Sequence, residues 1–208
     1  NGSTAGSVAL DAPAQTTGSN DIVFKLPVAD GSANQLLKTD GSGNLGWATD
    51  QGGKFVSYAV IADQKSSGTV SGTFVSGGWR VRDLNTELAD ADGIVSISSN
   101  QFTLQAGTYL IKWSCPAYGR SYHASRLRNN TDGINYSGAS VYSDYNSNVQ
   151  NTSIGAARLT ISAAKVFEIQ HRCDNSSSGE NTAFGVRVGN AFTVDYEIYT
   201  ICEIYKEV

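Results

Sequence analysis

Histidine is the side chain best suited to acid–base chemistry near neutral pH, and the sequence contains two, His123 and His171. His171 lies in the segment EIQHRC, on the same face of an alternating pattern as Phe167, Ile169 and Cys173. That position is typical of a buried strand histidine. Acyl transfer by a Cys173–His171 pair would also require a third, orienting group, and none is visible in the sequence. We therefore predict that the protein is not an enzyme.

The three cysteines, Cys115, Cys173 and Cys202, are widely spaced and form no CxxC pair. Structural zinc sites and thioredoxin-type redox sites both depend on such pairs. Each cysteine instead belongs to an alternating segment beside apolar residues. The pattern predicts three buried and chemically inert thiols.

Acidic residues cluster in the segment ELADADG, which contains Glu87, Asp90 and Asp92. Two carboxylates about 5 to 10 Å apart could hydrolyse a glycosidic bond, but no aromatic platform lies close by in the sequence. The segment also suggests calcium, although it lacks the spacing of a complete calcium-binding loop. A solvated turn is the favoured interpretation and a structural ion is the alternative. We predict no metal site and no other cofactor.

The segment GSGNLG, residues 41–46, matches the glycine pattern of a dinucleotide-binding loop. Such a loop precedes a helix, whereas this one runs into WATDQGG, which has no helical character. We interpret its glycines as turn residues.

Two arginines, Arg126 and Arg128, alternate in the segment RLRNNTDG and would share one face of a strand. Salt bridges within or between subunits are the expected role. A patch for an anionic receptor is the alternative.

The overall composition limits the classes of partner. Only 16% of the 208 residues are charged, and 22 glycines with 3 prolines favour a β-rich protein with many turns. The net charge is −4 and no basic stripe is visible, so nucleic-acid binding is not expected. No apolar run approaches the roughly 20 residues that cross a bilayer. Because methionine is absent, we expect the chain to be a fragment of a longer protein.

Residues 1–53 consist of short apolar pieces separated by Gly-Ser pairs. Ile22, Phe24 and Leu26 alternate with a period of two, which is typical of a strand with one buried face. Strands this short bury too little surface to be stable alone. The pattern predicts the stalk of an oligomer, in which several copies wrap short strands around a shared axis. The segment DQGGKF, residues 50–55, predicts a hinge.

From Lys54 onward the apolar alternation extends over longer runs, and turn signals interrupt it about every ten residues. No segment keeps a helical period, so we predict an all-β sandwich or jelly roll with Trp113 in its core. The expected strands are 55–64, 94–105, 107–116, 123–129, 135–142, 152–161, 165–173 and 195–207.

Three segments resemble the C1q/TNF-like jelly-roll domain, most closely the version in tailed-phage fibre and virion proteins. They read YAVIADQKSSGTVSGTFVSGGWRVRDLN, FTLQAGTYLIKWSCPAY and EIYTICEIYK, and the stretch from Phe102 to Trp113 is the most specific. The segment LPVADGSANQLLKTDGSGNLGWAT similarly resembles the short repeat of phage tail-fibre shafts. The resemblance implies a homotrimer with a shaft or neck at residues 1–53 and a jelly-roll knob at residues 54–208.

This resemblance also implies an extracellular, non-enzymatic virion component that mediates or supports attachment to a host surface receptor, with a glycan as the expected receptor. Its partners would be two further copies, a host glycan or protein, and virion proteins bound through an upstream part of the chain. Nucleic acid and membrane insertion are not expected. The alternatives are a structural trimerisation cap or capsid decoration protein, a secreted bacterial C1q-like adhesin, and an enzyme such as a capsule depolymerase.

Three loops are expected at the end of the knob that points away from the shaft, at residues 117–123, 143–151 and 174–194. Their aromatic side chains could stack on sugar rings, and their polar side chains could bind sugar hydroxyls. The alternative is that these side chains are solvated loop residues, or that Tyr118 and Tyr122 pack against a neighbouring subunit. The candidate receptor-binding residues are Tyr118, Arg120, Tyr122, His123, Tyr145, Asn146, Asn148, Asn175 and Glu180.

Overall fold

The structure, a computed structural model, describes residues 23–50, 53–142, 149–174, 183–189 and 191–208. The chain divides into two compact units, Asn1–Gln51 and Gly52–Val208. Strands, turns and loops make up the described residues. No helix among them is long and apolar enough to cross a membrane.

The first unit contains a β-hairpin in which β1 (Gln35–Thr39) pairs antiparallel with β2 (Leu45–Thr49). Asp40 organises the turn, because its Oδ1 atom accepts two backbone N–H hydrogen bonds at 2.7 and 3.1 Å. Gly41 and Gly43 follow with φ angles of 81° and 88°, which glycine adopts without steric cost. Gly41 and Gly43 are turn residues, as predicted, whereas Gly46 lies in β2, so the motif leads into a strand and not into a helix.

The apolar side chains of this hairpin unit remain exposed. Trp47 is the best anchored of them: its Nε1 donates to the carbonyl oxygen of Ala29 at 2.8 Å, and its ring covers Gly31. Even so, 41% of Trp47 is accessible to solvent. The described part of the unit buries no hydrophobic residue, as the shortness of its strands predicted. Its exposed large side chains are Val23, Phe24, Leu26, Val28, Leu36, Leu37 and Trp47.

The second unit is a sandwich of two antiparallel sheets. One sheet has the order β11-β8-β13-β3-β5, and the other has the order β10-β9-β12-β7-β6 with β4 paired to β12. The strands are β3 (Phe55–Ser66), β4 (Arg80–Val81), β5 (Thr86–Ala89), β6 (Val95–Ser98), β7 (Gln101–Leu104), β8 (Gly107–Tyr118), β9 (Tyr122–Asn129), β10 (Ile134–Tyr142), β11 (Gln150–Ile161), β12 (Lys165–Cys173) and β13 (Tyr196–Glu207).

The strand order is that of a jelly roll. When the main strands β3 and β7 to β13 are numbered one to eight along the chain, the two sheets have the orders 6-3-8-1 and 5-4-7-2. The chain alternates between the sheets in the manner of two interlocked Greek keys. This confirms the all-β jelly-roll class that the alternation predicted.

The observed strands differ from the predicted ones mainly between residues 94 and 105. That segment forms two strands, β6 and β7, because Ser99 and Asn100 adopt φ angles of 52° and 63° and reverse the chain. The short strands β4 and β5 contain too few residues to show a period, so the alternation does not predict them. The remaining predicted strands end within two residues of the observed ones.

Trp113 lies in the core between the sheets, as predicted, with 3% of its surface exposed. Its Nε1 donates to the hydroxyl of Ser125, on the opposite sheet, at 2.9 Å. Gly155 is its partner on the neighbouring strand, where a Cβ atom would come within 2.1 Å of the indole ring. The sequence therefore makes room for the tryptophan by placing a glycine beside it.

All three cysteines are buried, as predicted. Cys115 and Cys202 belong to the main core, and Cys173 to a smaller apolar cluster with Phe74 and Phe184. Burial raises the pKa of the Cys115 thiol to about 11, so this thiol stays protonated at neutral pH.

Replacing Trp113 with Ala is expected to lower the free energy of unfolding of the sandwich by roughly 3–5 kcal/mol, because the change leaves a cavity in the core and removes the partner of Ser125. Urea denaturation followed by circular dichroism measures the change. Trp47→Ala, at an exposed tryptophan of the first unit, is the matched control. An unchanged denaturation midpoint for the Trp113 variant would contradict its core assignment.

Candidate functional site

One end of the sandwich, called here the loop end, carries the connections that were predicted to be distal. β8 ends at Tyr118 and β9 begins at Tyr122, and the register pairs Tyr142 with Tyr122 and Cys173 with His123. The first residue of β3 lies at the opposite end, where Phe55 pairs with Glu207. The segment between β3 and β4, residues 67–79, also reaches the loop end, where the N–H of Gly77 donates to the carbonyl oxygen of Cys173 at 3.1 Å. The sequence pattern did not predict this position.

A depression of about 500 Å³ lies on the sheet that contains β9, beside the loop end. Two small residues, Ala124 of β9 and Ser140 of β10, pair with each other in its lining, and Arg172 of β12 pairs with Ala124 from the other side. Small side chains between larger neighbours leave space above a sheet. The full lining is Gly77, Trp79, Tyr122, His123, Ala124, Ser140, Val141, Arg172, Cys173 and Asp174.

Aromatic rings are available around this depression. The rings of Tyr122 and Tyr142 lie 4.7 Å apart at an interplanar angle of 40°, and each residue is 62% exposed. The ring of Trp79 carries the guanidinium group of Arg126 at 4.0 Å from its centroid. The depression thus combines flat apolar faces with polar edges, which is typical of small-molecule sites.

Two charged side chains line the depression, Arg172 and Asp174. Asp174 is engaged with the backbone of Tyr122: its Oδ1 accepts the N–H of that residue at 3.3 Å, and its own N–H donates to the carbonyl oxygen at 3.0 Å. Arg172 is exposed, and its guanidinium group lies near Gly77. It forms no ion pair with any of the described residues.

His123 is buried, with 4% of its surface exposed, and this corrects its predicted place among the exposed loop residues. The residue had been assigned to both the loop 117–123 and the strand 123–129, and in β9 it lies on the inward face with Ser125 and Leu127. Its Nδ1 lies 2.9 Å from His171 Nε2, and His171 Nδ1 lies 3.4 Å from Arg82 Nη1. An arginine can only donate, so His171 accepts at Nδ1 and donates from Nε2 to His123.

Burial lowers the pKa values of both imidazoles, and the nearby positive charge of Arg82 lowers them further. The pKa of His123 falls to about 4, so both histidines are neutral at pH 7. Both ring nitrogens of His171 are occupied, by Arg82 and by His123, which leaves neither available to activate Cys173. The buried strand histidine predicted at position 171 is confirmed.

The other predicted receptor-binding residues lie outside the depression or outside the described residues. Tyr118 and Arg120 are half-buried, and Arg120 Nε donates to the carbonyl oxygen of Tyr118 at 3.1 Å. Neither lines the depression. Tyr145, Asn146, Asn148, Asn175 and Glu180 fall outside the part of the chain that the structure describes.

Two lining residues, Trp79 and Arg172, were not among the sequence candidates. Arg172 could have been found, because it occupies the outward position between the buried His171 and Cys173 in an alternating strand. Trp79 precedes a strand of two residues, and no periodic signal marks its position.

The acidic segment at residues 87–93 comprises the end of β5, with Glu87, and the turn that follows it, with Asp90 and Asp92. Asp90 accepts the backbone N–H groups of Ile94 and Val95 at 2.8 and 3.0 Å, and Asp92 accepts from the hydroxyl of Ser57. These bonds use the carboxylate oxygens that a calcium ion would need. Among the described residues no three acidic, histidine or cysteine side chains are placed to hold a metal ion.

Arg126 and Arg128 do not form the expected salt bridges with described residues of their own subunit. Arg126 Nε donates to Gln170 Oε1 at 2.7 Å, and Arg128 donates to the side-chain oxygens of Asn130 and Asn135 at 2.9 and 3.2 Å. Neutral amides thus hold both guanidinium groups without cancelling their charge.

The comparisons with known proteins find similarity only at the level of structure. The globular domain of zebrafish complement 1qA protein is 15% identical, with a TM-score of 0.46 over 74% of this chain and 97% of that chain. Murine APRIL at pH 8.0 is 6% identical, with a TM-score of 0.45 over 72% of this chain and 98% of that chain. No protein-family model and no curated protein matches the sequence.

Acidification is expected to destabilise the sandwich between pH 6.5 and pH 4. The two histidines are neutral when folded and have a pKa near 6.5 when unfolded, so the unfolded state binds more protons as the pH falls through this window. Each such histidine lowers the free energy of unfolding by up to roughly 1.4 kcal/mol per pH unit. Urea denaturation at pH 7.5, 6.0 and 5.0 measures this dependence.

The His123→Gln variant isolates the effect from the carboxylates that titrate nearby, among them Asp63, whose raised pKa acts in the opposite direction. Its stability should fall less steeply with pH than that of the wild type. Equal slopes for the two proteins would contradict the neutral, buried state of His123.

Proposed function

We propose that this chain is part of a tailed-phage fibre, a non-enzymatic homotrimer whose jelly-roll knob attaches the particle to a host surface glycan. The observation that carries the proposal is the depression at the loop end, with exposed tyrosines and charged side chains around a floor of small residues. The sequence resemblance to phage knobs and shafts supplies the biological setting.

The chemistry of the depression suits a sugar. A pyranose ring has apolar C–H faces and a rim of hydroxyl groups, so it needs a flat apolar surface bordered by hydrogen-bonding groups. Tyr122 offers such a face, and its ring packs at a tilt against the ring of Tyr142. A volume of about 500 Å³ falls within the range of roughly 300–1,000 Å³ that is usual for small-ligand pockets.

The homotrimer is proposed because both units leave apolar surface uncovered. In the sandwich, a groove of about 600 Å³ crosses the sheet that contains β8, β11 and β13, and Ile154 in its lining is 60% exposed. Lys112 and Glu203 border the same groove and lie 3.4 Å apart, which gives it polar edges. An apolar centre with a polar rim is typical of a surface that another copy covers. Three copies would present three identical glycan sites, so weak individual sites could sum to firm attachment.

Tyr122→Ala is expected to weaken glycan binding by about tenfold, because it removes the exposed aromatic wall of the depression. The measurement is binding of the full chain to an array of bacterial surface polysaccharides. Tyr196→Ala is the matched control, since Tyr196 is 59% exposed at the same end of the sandwich but lies outside the depression. A wild-type protein that binds no polysaccharide on the array would favour the structural-cap alternative.

Light scattering at micromolar concentration is expected to give a native mass near 66 kDa, which is three times the chain mass of 22.0 kDa. Ile154→Glu should shift the mass towards 22 kDa, because it places a charge in the apolar groove. Val75→Glu, at a residue 50% exposed and outside this groove, should leave the mass unchanged. A monomeric wild type would contradict the trimer.

A further inference from the structure

We infer that the depression takes an anionic sugar residue, whose acidic group accepts hydrogen bonds from Arg172 while its ring lies over Ala124 and Ser140 against Tyr122. The inference rests on the proposed glycan-binding function and specifies the class of glycan as an acidic polysaccharide.

Positive charge is concentrated on this part of the molecule although the whole chain carries a net charge of −4. The outward side of β9 and β12 presents three arginines, Arg126, Arg128 and Arg172. They are close enough to interact: after burial, repulsion from Arg128 and Arg172 lowers the pKa of Arg126, and the neighbouring carboxylate of Glu168 raises it in opposition. Three positive charges outnumber the two carboxylates close to them, Glu168 and Asp174, and a surplus of positive charge attracts an anion.

The acidic groups near these arginines are already occupied. Glu168 Oε2 accepts from the side-chain amides of Gln101 and Asn130 at 2.9 and 2.6 Å, and its Oε1 accepts from Gln170. Asp174 accepts the backbone N–H of Tyr122. Neither carboxylate forms an ion pair with a described arginine, and their two negative charges offset the three arginines only in part, which leaves a net attraction for an anionic ligand.

Arg172 is the arginine placed to meet a ligand in the depression. Arg126 is held against Trp79 and Gln170, and Arg128 is held by Asn130 and Asn135, whereas Arg172 lines the depression without an ion-pair partner among the described residues. Its planar guanidinium group offers parallel N–H donors that match a carboxylate or a sulfate.

The polar groups of the depression favour an anionic sugar over a neutral one. Neutral sugars present hydroxyl groups that both donate and accept, so their sites combine free acceptors with donors. Arginine has no acceptor, and the Oδ1 atom of Asp174 already accepts the backbone N–H of Tyr122, while its Oδ2 atom remains an acceptor. The charged lining residue whose side chain has no ion pair among the described residues is Arg172, which can only donate.

The floor of the depression supplies the space for the ring. Ser140, Ala124 and Arg172 form one row across three strands, and the two small members stand next to the paired rings of Tyr122 and Tyr142. A register shift between Ser137 and Ser140 sets β10 so that Ser140 faces Ala124. A sugar seated on this row would have Arg172 at one side and the Tyr122 ring at one end.

Affinity electrophoresis of the 208-residue chain tests the inference, with gels that contain polygalacturonate, dextran sulfate or neutral dextran. We expect at least one polyanion to retard the wild type and neutral dextran to leave its mobility unchanged. Polygalacturonate alone would identify a carboxylate as the recognised group, and dextran sulfate alone would identify a sulfate.

Three variants make the test specific to the depression. Arg172→Gln should weaken retardation about tenfold or more, because it removes a charge-assisted hydrogen bond. Arg128→Gln, which removes an equal charge from the same face outside the depression, should change it less than about twofold. Asp174→Asn keeps the Oδ1 acceptor for Tyr122 and removes a negative charge. This variant should therefore be retarded a few-fold more strongly than the wild type.

Equal losses for Arg172→Gln and Arg128→Gln would show general attraction to the surface and would overturn the inference. Weaker binding by Asp174→Asn, or retardation by neutral dextran that Arg172→Gln does not change, would also overturn it while the glycan-binding function stands. Retardation by none of the three polymers overturns the inference, and the polysaccharide array then decides whether the proposed function fails with it.

Discussion

The loop end of the sandwich depends on one buried cation, Arg82, which has no exposed surface. Its guanidinium group contacts four separate parts of the chain. Nε donates to Thr200 Oγ1 on β13, and Nη1 donates to the carbonyl oxygen of Pro116 on β8. Nη2 donates to the carbonyl oxygen of Phe184, and Nη1 also donates to His171 Nδ1 on β12. A buried charge is tolerated only when its donors are satisfied in this way. The two sheets are therefore tied together at this end by polar bonds, in contrast to the apolar core around Trp113.

The buried network around Arg82 determines which side chains of β9 and β12 point into the sandwich and which point outward. Burial keeps His171 and His123 neutral, and the charge of Arg82 adds to this effect. The chain of bonds Arg82–His171–His123 occupies the interior that an apolar core would otherwise fill. Side chains on alternate positions of the same strands must then point outward, and these include Tyr122 and Arg172. The depression thus lies on strands that the buried network holds, which favours a preformed site over one that assembles when the ligand arrives.

The fold could be predicted from the sequence further than the site could. Alternation of period two depends on burial along one strand, so it located most strands and placed Trp113 and His171 in the interior. The depression depends on which residues of β10, β9 and β12 stand side by side, and register across strands leaves no mark in a single sequence. His123 shows the difficulty at strand ends: it was expected among the loop residues 117–123, whereas its alternation with Ser125 and Leu127 places it on the buried face of β9.

The net negative charge of the chain bears on how an acidic polysaccharide would be selected. At a distance the protein repels a polyanion, and salt screens this repulsion beyond about 10 Å. Attraction from Arg172 therefore prevails only at close range, when the polymer also fits the floor of Ala124 and Ser140. Non-specific binding of the protein to anionic surfaces is therefore weak, and stable attachment requires several sites to bind the polymer at the same time. A repeating acidic sugar presented to the three subunits of the proposed trimer would meet both requirements, whereas an isolated anion would meet neither.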